Sequence, residues 1–266
     1  MKNLLGRIVN LFFSIFNLKL VNITTYKYFS KLPRSFYLYT ILNNHEKEKV
    51  ADLLHKSKSQ LAQDIFVIAN TEIKKENFFI EFGATDGLTI SNTYLLEKEL
   101  NWKGILIEPA SIWHKDLYKN RDCIIDKRCI YKKSGEIMNF LVVQNNNKAE
   151  PGLSSLEKYA DNGDWASKLR LKNSKYQKVE TITLDDLLDY YDAPKIIDYM
   201  SIDTEGSELD ILKSLNFNKR KIMIITIEHN FHKNRNEIFL ILSSKGYERV
   251  HKDISKFDDW YILNEN

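Results

Sequence analysis

The sequence predicts an α/β protein built on a doubly wound, mostly parallel sheet. Three observations carry this. Short apolar runs alternate with helical stretches, as strands buried on both faces require. Each of the main runs ends abruptly in polar or turn-forming residues, so the chain leaves the sheet at the same side each time. The last two runs are close in sequence and most economically pair antiparallel at the sheet edge.

Residues 1–60 read as an N-terminal helical segment. Leu4, Ile8, Leu11, Phe12, Ile15 and Phe16 recur at helical spacing, with Lys2, Arg7 and Lys19 among them. The charge-free run Ile8–Leu18 is shorter than the ~20 residues a bilayer span needs. It lacks the small-residue cleavage site of a secretory signal. An amphipathic helix within residues 1–21 either lies on a membrane surface or packs on a partner or on the body of the protein. From Tyr26 to Gln63 the pattern stays helical and contains no glycine.

The main domain is expected over residues 61–266. "NFFIEF" (Asn77–Phe82) is a buried strand ending at a glycine, and Ser91 can cap the helix carrying Tyr94, Leu95 and Leu96. "GILIE" (Gly104–Glu108) is a second strand, stopped by Pro109. "CIID" (Cys123–Asp126) is a short third, and "IMNFLVV" (Ile137–Val143) an additional one. Residues 144–177 are polar and too long for a plain connection, so they read as a substrate-side insertion or a mobile lid. Tyr159, Trp165 and Tyr176 within it could stack on a sugar ring. Thr183 caps a helix through Asp186. "IIDYMSID" (Ile196–Asp203) and "KIMIITIEH" (Lys221–His229) are two further buried strands, and "YERV" and "DWYIL" form the terminal antiparallel pair.

Ligands of such sheets bind beyond the carboxyl ends of the strands. Here the strands end in Glu81 with the loop Gly83–Gly87, in Glu108, in Asp126, in Asp203-Thr204-Glu205, and in Glu228-His229-Asn230. Five such ends bearing titratable groups suggest one shared site. The loop "GATDG" lacks the central glycine of a dinucleotide fingerprint, and Asp86 would face a pyrophosphate's negative charge. A ligand with a sulfonium, an ammonium and ribose hydroxyls but no phosphate would tolerate these carboxylates. S-adenosylmethionine is such a ligand. Gly83 would let backbone approach it. Glu108 follows Gly87 by 21 residues, where a carboxylate can accept both ribose hydroxyls.

"FFIEFGATDGLTISNTYLLEKELNWKGILIEPA" and "IDYMSIDTEGSELDILKSL" resemble the FkbM family of S-adenosylmethionine-dependent methyltransferases. The resemblance runs from Ser59–Phe66 to Asp258–Leu263. It implies a class I (Rossmann-like) methyltransferase fold and O-methylation of a hydroxyl on a sugar, glycolipid or natural product. It further implies that Glu81, Gly83, Asp86 and Gly87 line the methionine end of the cofactor, with Ser91 and Asn92 adding hydrogen bonds. By the same resemblance Glu108 binds the ribose, Asp126 and the backbone near Cys129 flank the adenine, and Asp203 sits beside the transferring methyl.

A sugar hydroxyl is a poor nucleophile, so a general base or a metal is expected. His229 is the first candidate for the base. Asp203 and Glu205 could orient it or take the proton themselves. Asp203, Glu205 and the Glu228–Asn230 cluster could instead hold a divalent metal through oxygen ligands.

The acceptor is expected to be a small molecule or glycan, with a surface polysaccharide or lipid-linked precursor as the reading that suits an amphipathic N-terminus. Nucleic acid is not expected. The net charge is only +3 with scattered lysines, and an Asn/Asp-Pro-Pro-aromatic loop after the fourth main strand is replaced by "DTEG". Cys123 and Cys129 match no zinc or redox spacing and suit a reducing, cytoplasmic compartment. A non-catalytic scaffold in a glycan-assembly complex is the rival reading. Carboxylates after every strand argue against it.

Overall fold

A computed structural model of the chain describes residues 34–74, 76–144, 151–161, 163 and 166–264. The expected amphipathic helix within residues 1–21 lies outside them. Three helices, α1 (Arg34–Ile41), α2 (Asn44–Val50) and α3 (Gln63–Asn70), precede β1 (Phe78–Phe82). Asn43 starts α2 with a reciprocal capping box to Glu46, which satisfies two of the helix's free N–H groups. Next come α4 (Tyr94–Leu100), β2 (Lys103–Ile107), α5 (His114–Asn120) and β3 (Ile124–Asp126). A second group follows: β4 (Cys129–Ile130), β5 (Ile137–Val143), β6 (Ser155–Leu156), α6 (Ser167–Lys172) and β7 (Ser174–Ile182). The chain then runs through α7 (Leu184–Tyr190), β8 (Ile196–Ile202), α8 (Glu208–Ser214), β9 (Lys221–Glu228) and α9 (Arg235–Ser244). It closes with β10 (Tyr247–Val250), α10 (Lys252–Ser255) and β11 (Asp258–Leu263).

The main sheet has seven strands in the order β10-β11-β9-β8-β1-β2-β3. Six strands run in the same direction; β11 alone runs opposite, antiparallel to both β9 and β10. The sheet is thus mixed but mostly parallel, with the C-terminal antiparallel pair expected from the sequence. Strand order reverses between β1 and β8, which opens a crevice at their carboxyl ends.

The period of two along each strand sorts side chains to two faces. Ile80, Phe82, Ile105, Ile107, Met200 and Ile225 pack under α7, α8 and α9. Phe79, Leu106, Tyr199, Ile224 and Trp260 pack on the other face with α1 to α5. Leu38, Leu42, Val50 and Leu54 from the N-terminal helices belong to this second cluster. Both faces being covered explains why the strands read as continuous apolar runs.

The 144–177 stretch differs from a simple lid. Its described part contributes β6, α6 and the start of β7, and β7 pairs antiparallel with β5 from Ile137↔Glu180 to Val143↔Ser174. The resulting four-stranded sheet, β4-β7-β5-β6, has its own apolar cluster of Cys129, Tyr131, Phe140, Val142, Leu156 and Val179. In β7, Lys175, Tyr176 and Lys178 are exposed and burial begins only at Val179. The apolar alternation that signals a strand is therefore absent from its first half. Among the described residues no helix is long and apolar enough to cross a membrane.

Candidate active site

The loop after β1 folds back on the sheet. Gly83 N–H donates to Ile107 O at 3.0 Å and Gly87 N–H to Ala84 O at 2.8 Å. Gly83 has φ +73°, and a Cβ there would lie 2.1 Å from the carbonyl oxygen of Asp203. The glycine is required by the approach of two strand ends. Gly87 (φ +72°) faces away from the cavity, where a Cβ would meet the side chains of Arg121 and Leu117 at 2.6 Å.

A cavity of about 370 Å³ lies over the strand ends. Glu81, Gly83, Thr85, Asn92, Asp203 and Glu228 are on its wall, as are Ser91, Glu205 and Asn230. It shares Gly83, Thr85, Trp113 and Asp203 with a narrower slot lined by Ile107, Glu108, Cys129, Ile130, Phe140 and Leu156. The small sheet thus supplies one wall of the slot, facing Glu108.

Glu81 is buried and fully engaged. It accepts from Asn92 N–H (2.7 Å), Ser91 Oγ (2.9 Å) and Thr93 Oγ1 (2.5 Å), with Arg121 at 3.6 Å. Ser91 Oγ also accepts from Tyr94 N–H at 3.1 Å, so it serves the start of α4 and the Glu81 carboxylate together. Asn92 Nδ2 donates to Ser201 Oγ at 2.9 Å, while its Oδ1 is buried without a partner. Glu108 accepts one backbone N–H on each oxygen, Thr85 at 2.8 Å and Ala110 at 2.7 Å, and burial pushes its carboxyl up to about 7.

Asp86 and Asp126 are placed elsewhere. The Asp86 carboxylate accepts from Leu88 N–H, Thr89 N–H and Thr89 Oγ1 (2.7–2.9 Å), which shapes its own turn and leaves it off the cavity wall. Asp126 is held by Arg128 through Nε (3.1 Å) and Nη2 (2.5 Å) and by Tyr191 Oη (3.0 Å). Burial works to raise it, and Arg128 outweighs that and holds it below the usual carboxylate range. Neither Asp126 nor Gly87 lines the cavity or the slot. Of the aromatic residues expected to grip a sugar, Tyr159 donates to Asp210 and Tyr176 is exposed on β7, away from the cavity. Trp165 lies outside the described residues.

His229 is repositioned by the structure. Its Nδ1 accepts from Phe231 N–H at 2.9 Å, which leaves the ring proton on Nε2, 3.8 Å from Asp259 Oδ1. Burial drives its pKa down to about 4. The lone pair a base needs is occupied, and the ring points at Asp259, itself clamped by Arg235 and Arg249. The Phe231 N–H bond to Nδ1 spans the turn through Asn230 and Phe231, both at positive φ (+41° and +58°). His229→Asn keeps an acceptor near the Nδ1 position and removes the titratable ring. Methyl transfer by this variant is expected to stay within a few-fold of wild type; complete loss would return the base role to His229.

The carboxylates that do converge are Asp203, Glu205 and Glu228, each offering an oxygen within 4.8 Å of the others. Burial, Asp258 and Glu208 push Asp203 up to about 7. Burial and Asp203 raise Glu228 as well, and the two carboxyl groups share a hydrogen bond. Glu205 pairs with Arg170. Three oxygens at this spacing suit a divalent cation and equally suit a shared proton beside one ion pair. Glu228 has no helical or loop pattern that singles it out; its position at the end of a strand is the signal. Arg170 has no sequence signal, because its partner is brought to it by folding.

The family model for the methyltransferase FkbM domain matches residues 81–249. The chain belongs to the FkbM methyltransferase family. Membership makes this FkbM-domain protein an S-adenosylmethionine-dependent methyltransferase acting on some acceptor. No curated protein matches the chain. Among solved structures, the fibrillarin/Nop5p complex aligns over 78% of this chain and 81% of that one, at 11% identity and a TM-score of 0.39. Within the FkbM match lie both loop segments that build the cavity, Glu81–Asn92 and Asp203–Glu208.

Proposed function

We propose that the protein transfers a methyl group from S-adenosylmethionine to a hydroxyl of a sugar or glycan, such as a surface-polysaccharide or lipid-linked precursor. The observation that carries this is the Asp203–Glu228 pair, set on the wall of an open cavity next to the Gly83–Thr85 loop.

The residues present fit the cofactor. Glu108 uses one hydrogen bond per oxygen and keeps lone pairs for two ribose hydroxyls. The apolar slot beside it, with Ile107, Ile130, Phe140 and Leu156, suits a purine. The partnerless Asn92 Oδ1 can accept from an ammonium group, and the Asp203 cluster favours positive charge nearby. Bound S-adenosylmethionine supplies an electrophilic methyl carbon on a sulfonium. The chain's part is to align the acceptor and take its proton. Asp203 near 7 is poised for the second task, since a base is most effective when its pKa is close to working pH. Asn230 and the backbone of the 83–85 loop, on the cavity wall, would orient hydroxyl groups. An amphipathic segment within residues 1–21 would bring the enzyme to the cytoplasmic face of a membrane.

Glu108→Ala is expected to weaken S-adenosylmethionine binding about tenfold or more in calorimetry, the effect of losing hydrogen bonds to a charged acceptor. The wild type should release protons on binding. In the free protein Glu108 and Asp203 sit near 7. A cation and two hydroxyl donors favour the ionised forms and lower those values, so affinity rises as pH goes from about 6 to about 8. Calorimetry in buffers of different ionisation enthalpy reads the proton release directly, and its absence would remove these carboxylates from the site. Mass spectrometry of glycans made with and without the protein tests the acceptor class; methylation confined to non-carbohydrate molecules overturns it.

A further inference from the structure

Arg170 in α6 is wholly buried. Its Nε donates to Leu153 O at 2.8 Å, and its Nη2 pairs with Glu205 Oε2. Gly152 and Leu153 lie on the cavity wall, as does Glu205. The excursion between β5 and β7 therefore touches the carboxylate cluster through a cation. We propose that Arg170 is a positioning residue for the cofactor site: anchored on the Leu153 carbonyl, its guanidinium fixes the Glu205 side chain in place. This rests on the reading of the cavity as the S-adenosylmethionine site.

Two features of Glu205 call for such a partner. It sits at φ +57°, a conformation uncommon for a residue with a side chain, so something must hold it there. It is also surrounded by like charges. Asp203 of the β8 end, Glu228 of β9 and Asp258 of β11 face the cluster from the sheet, and Glu208 of α8 from the helix layer. On its far side Glu205 shares a small cavity of about 20 Å³ with His229, His232 and Arg235. A cation beside a carboxylate taken out of water among other carboxylates offsets their mutual repulsion. A guanidinium suits the task because its planar fork can serve Leu153 O and Glu205 at once, whereas an ammonium is a point charge.

The test is a double-mutant cycle on the full-length protein, read as S-adenosylmethionine affinity by calorimetry. R170M is expected to weaken binding about tenfold or more, and R170K to recover only part of that loss, because an ammonium cannot serve Leu153 O and Glu205 together. In the E205Q background, R170M is expected to change affinity by less than about twofold, because residues acting through one another are not additive. R170M alone strands a buried charge and can fail to fold. The R170M/E205Q double variant lacks that charge, so its comparison with E205Q decides the question. A double variant binding much more weakly than E205Q, or an R170M protein with wild-type affinity, overturns the inference. A wild-type protein that does not bind S-adenosylmethionine overturns the reading of the cavity and the inference with it.

Discussion

Replacing Arg121 with methionine is expected to unfold the protein at temperatures where the wild type is intact. The side chain has no exposure and closes a network no neutral group can replace. Nε pairs with Glu97, Nη1 donates to Gly87 O (3.1 Å) and Ser91 Oγ (3.1 Å), and Nη2 donates to Thr93 Oγ1 (2.9 Å). Glu81 lies 3.6 Å away. The guanidinium also stands over the rings of Phe79 (5.6 Å) and Tyr94 (5.9 Å). Burial works to raise Glu97, yet Arg121 holds it low. Removing one partner of a buried ion pair costs about 3–5 kcal/mol, against a total stability of about 5–15 kcal/mol. Denaturant unfolding at pH 7 measures this, and a midpoint close to wild type would refute it. The loss should also reach function, since the same side chain fixes Gly87 and Ser91, between which the cavity loop turns.

Asp203→Asn should produce the opposite pairing of effects, a more stable and inactive protein. The free carboxyl of Asp203 sits near 7 in the fold, against 3.8 as its ordinary value. The folded state therefore binds the proton more tightly, and stability falls as pH rises from about 4 to about 7. Above that range the wild type carries the full cost of an ionised Asp203 facing Asp258 and Glu208. Asparagine does not. At pH 8 the variant is expected to melt several degrees higher, and at pH 4 the difference should vanish. Methyl transfer should fall about 10²–10⁴-fold, the usual contribution of a general base. Calorimetric melting at the two pH values, with transfer of labelled methyl to a glycan acceptor, separates the two claims. A D203N protein with wild-type turnover would leave Glu228 as the base.

The strands were legible because a sheet covered on both faces demands apolar runs, and "IIDYMSI" can be little else. Their acidic ends were legible because the fold puts them in one place. What escaped was any role decided by a neighbour distant in sequence. Asp86 and Asp126 look alike on paper to Asp203, but Thr89 claims the first and Arg128 the second. His229 has the ordinary chemistry of a base until Phe231 N–H occupies its lone pair and burial drives its pKa down to about 4. Strand β7 was hidden for another reason: its first residues face water, so no alternation marks them.

Asp258, at the start of β11, accepts from Gln63 Nε2 at 2.7 Å across 195 residues of sequence. It stands beside the Asp203 pair and belongs to a strand wedged between β9 and β10. On a ribosome, β9 and β10 emerge before the strand that separates them exists. Until β11 slots in, β9 has an open edge and the acidic cluster lacks one member. Such a long-range closure is slow, so the acidic cluster is completed only after Asp258 has left the ribosome and β11 has paired with β9.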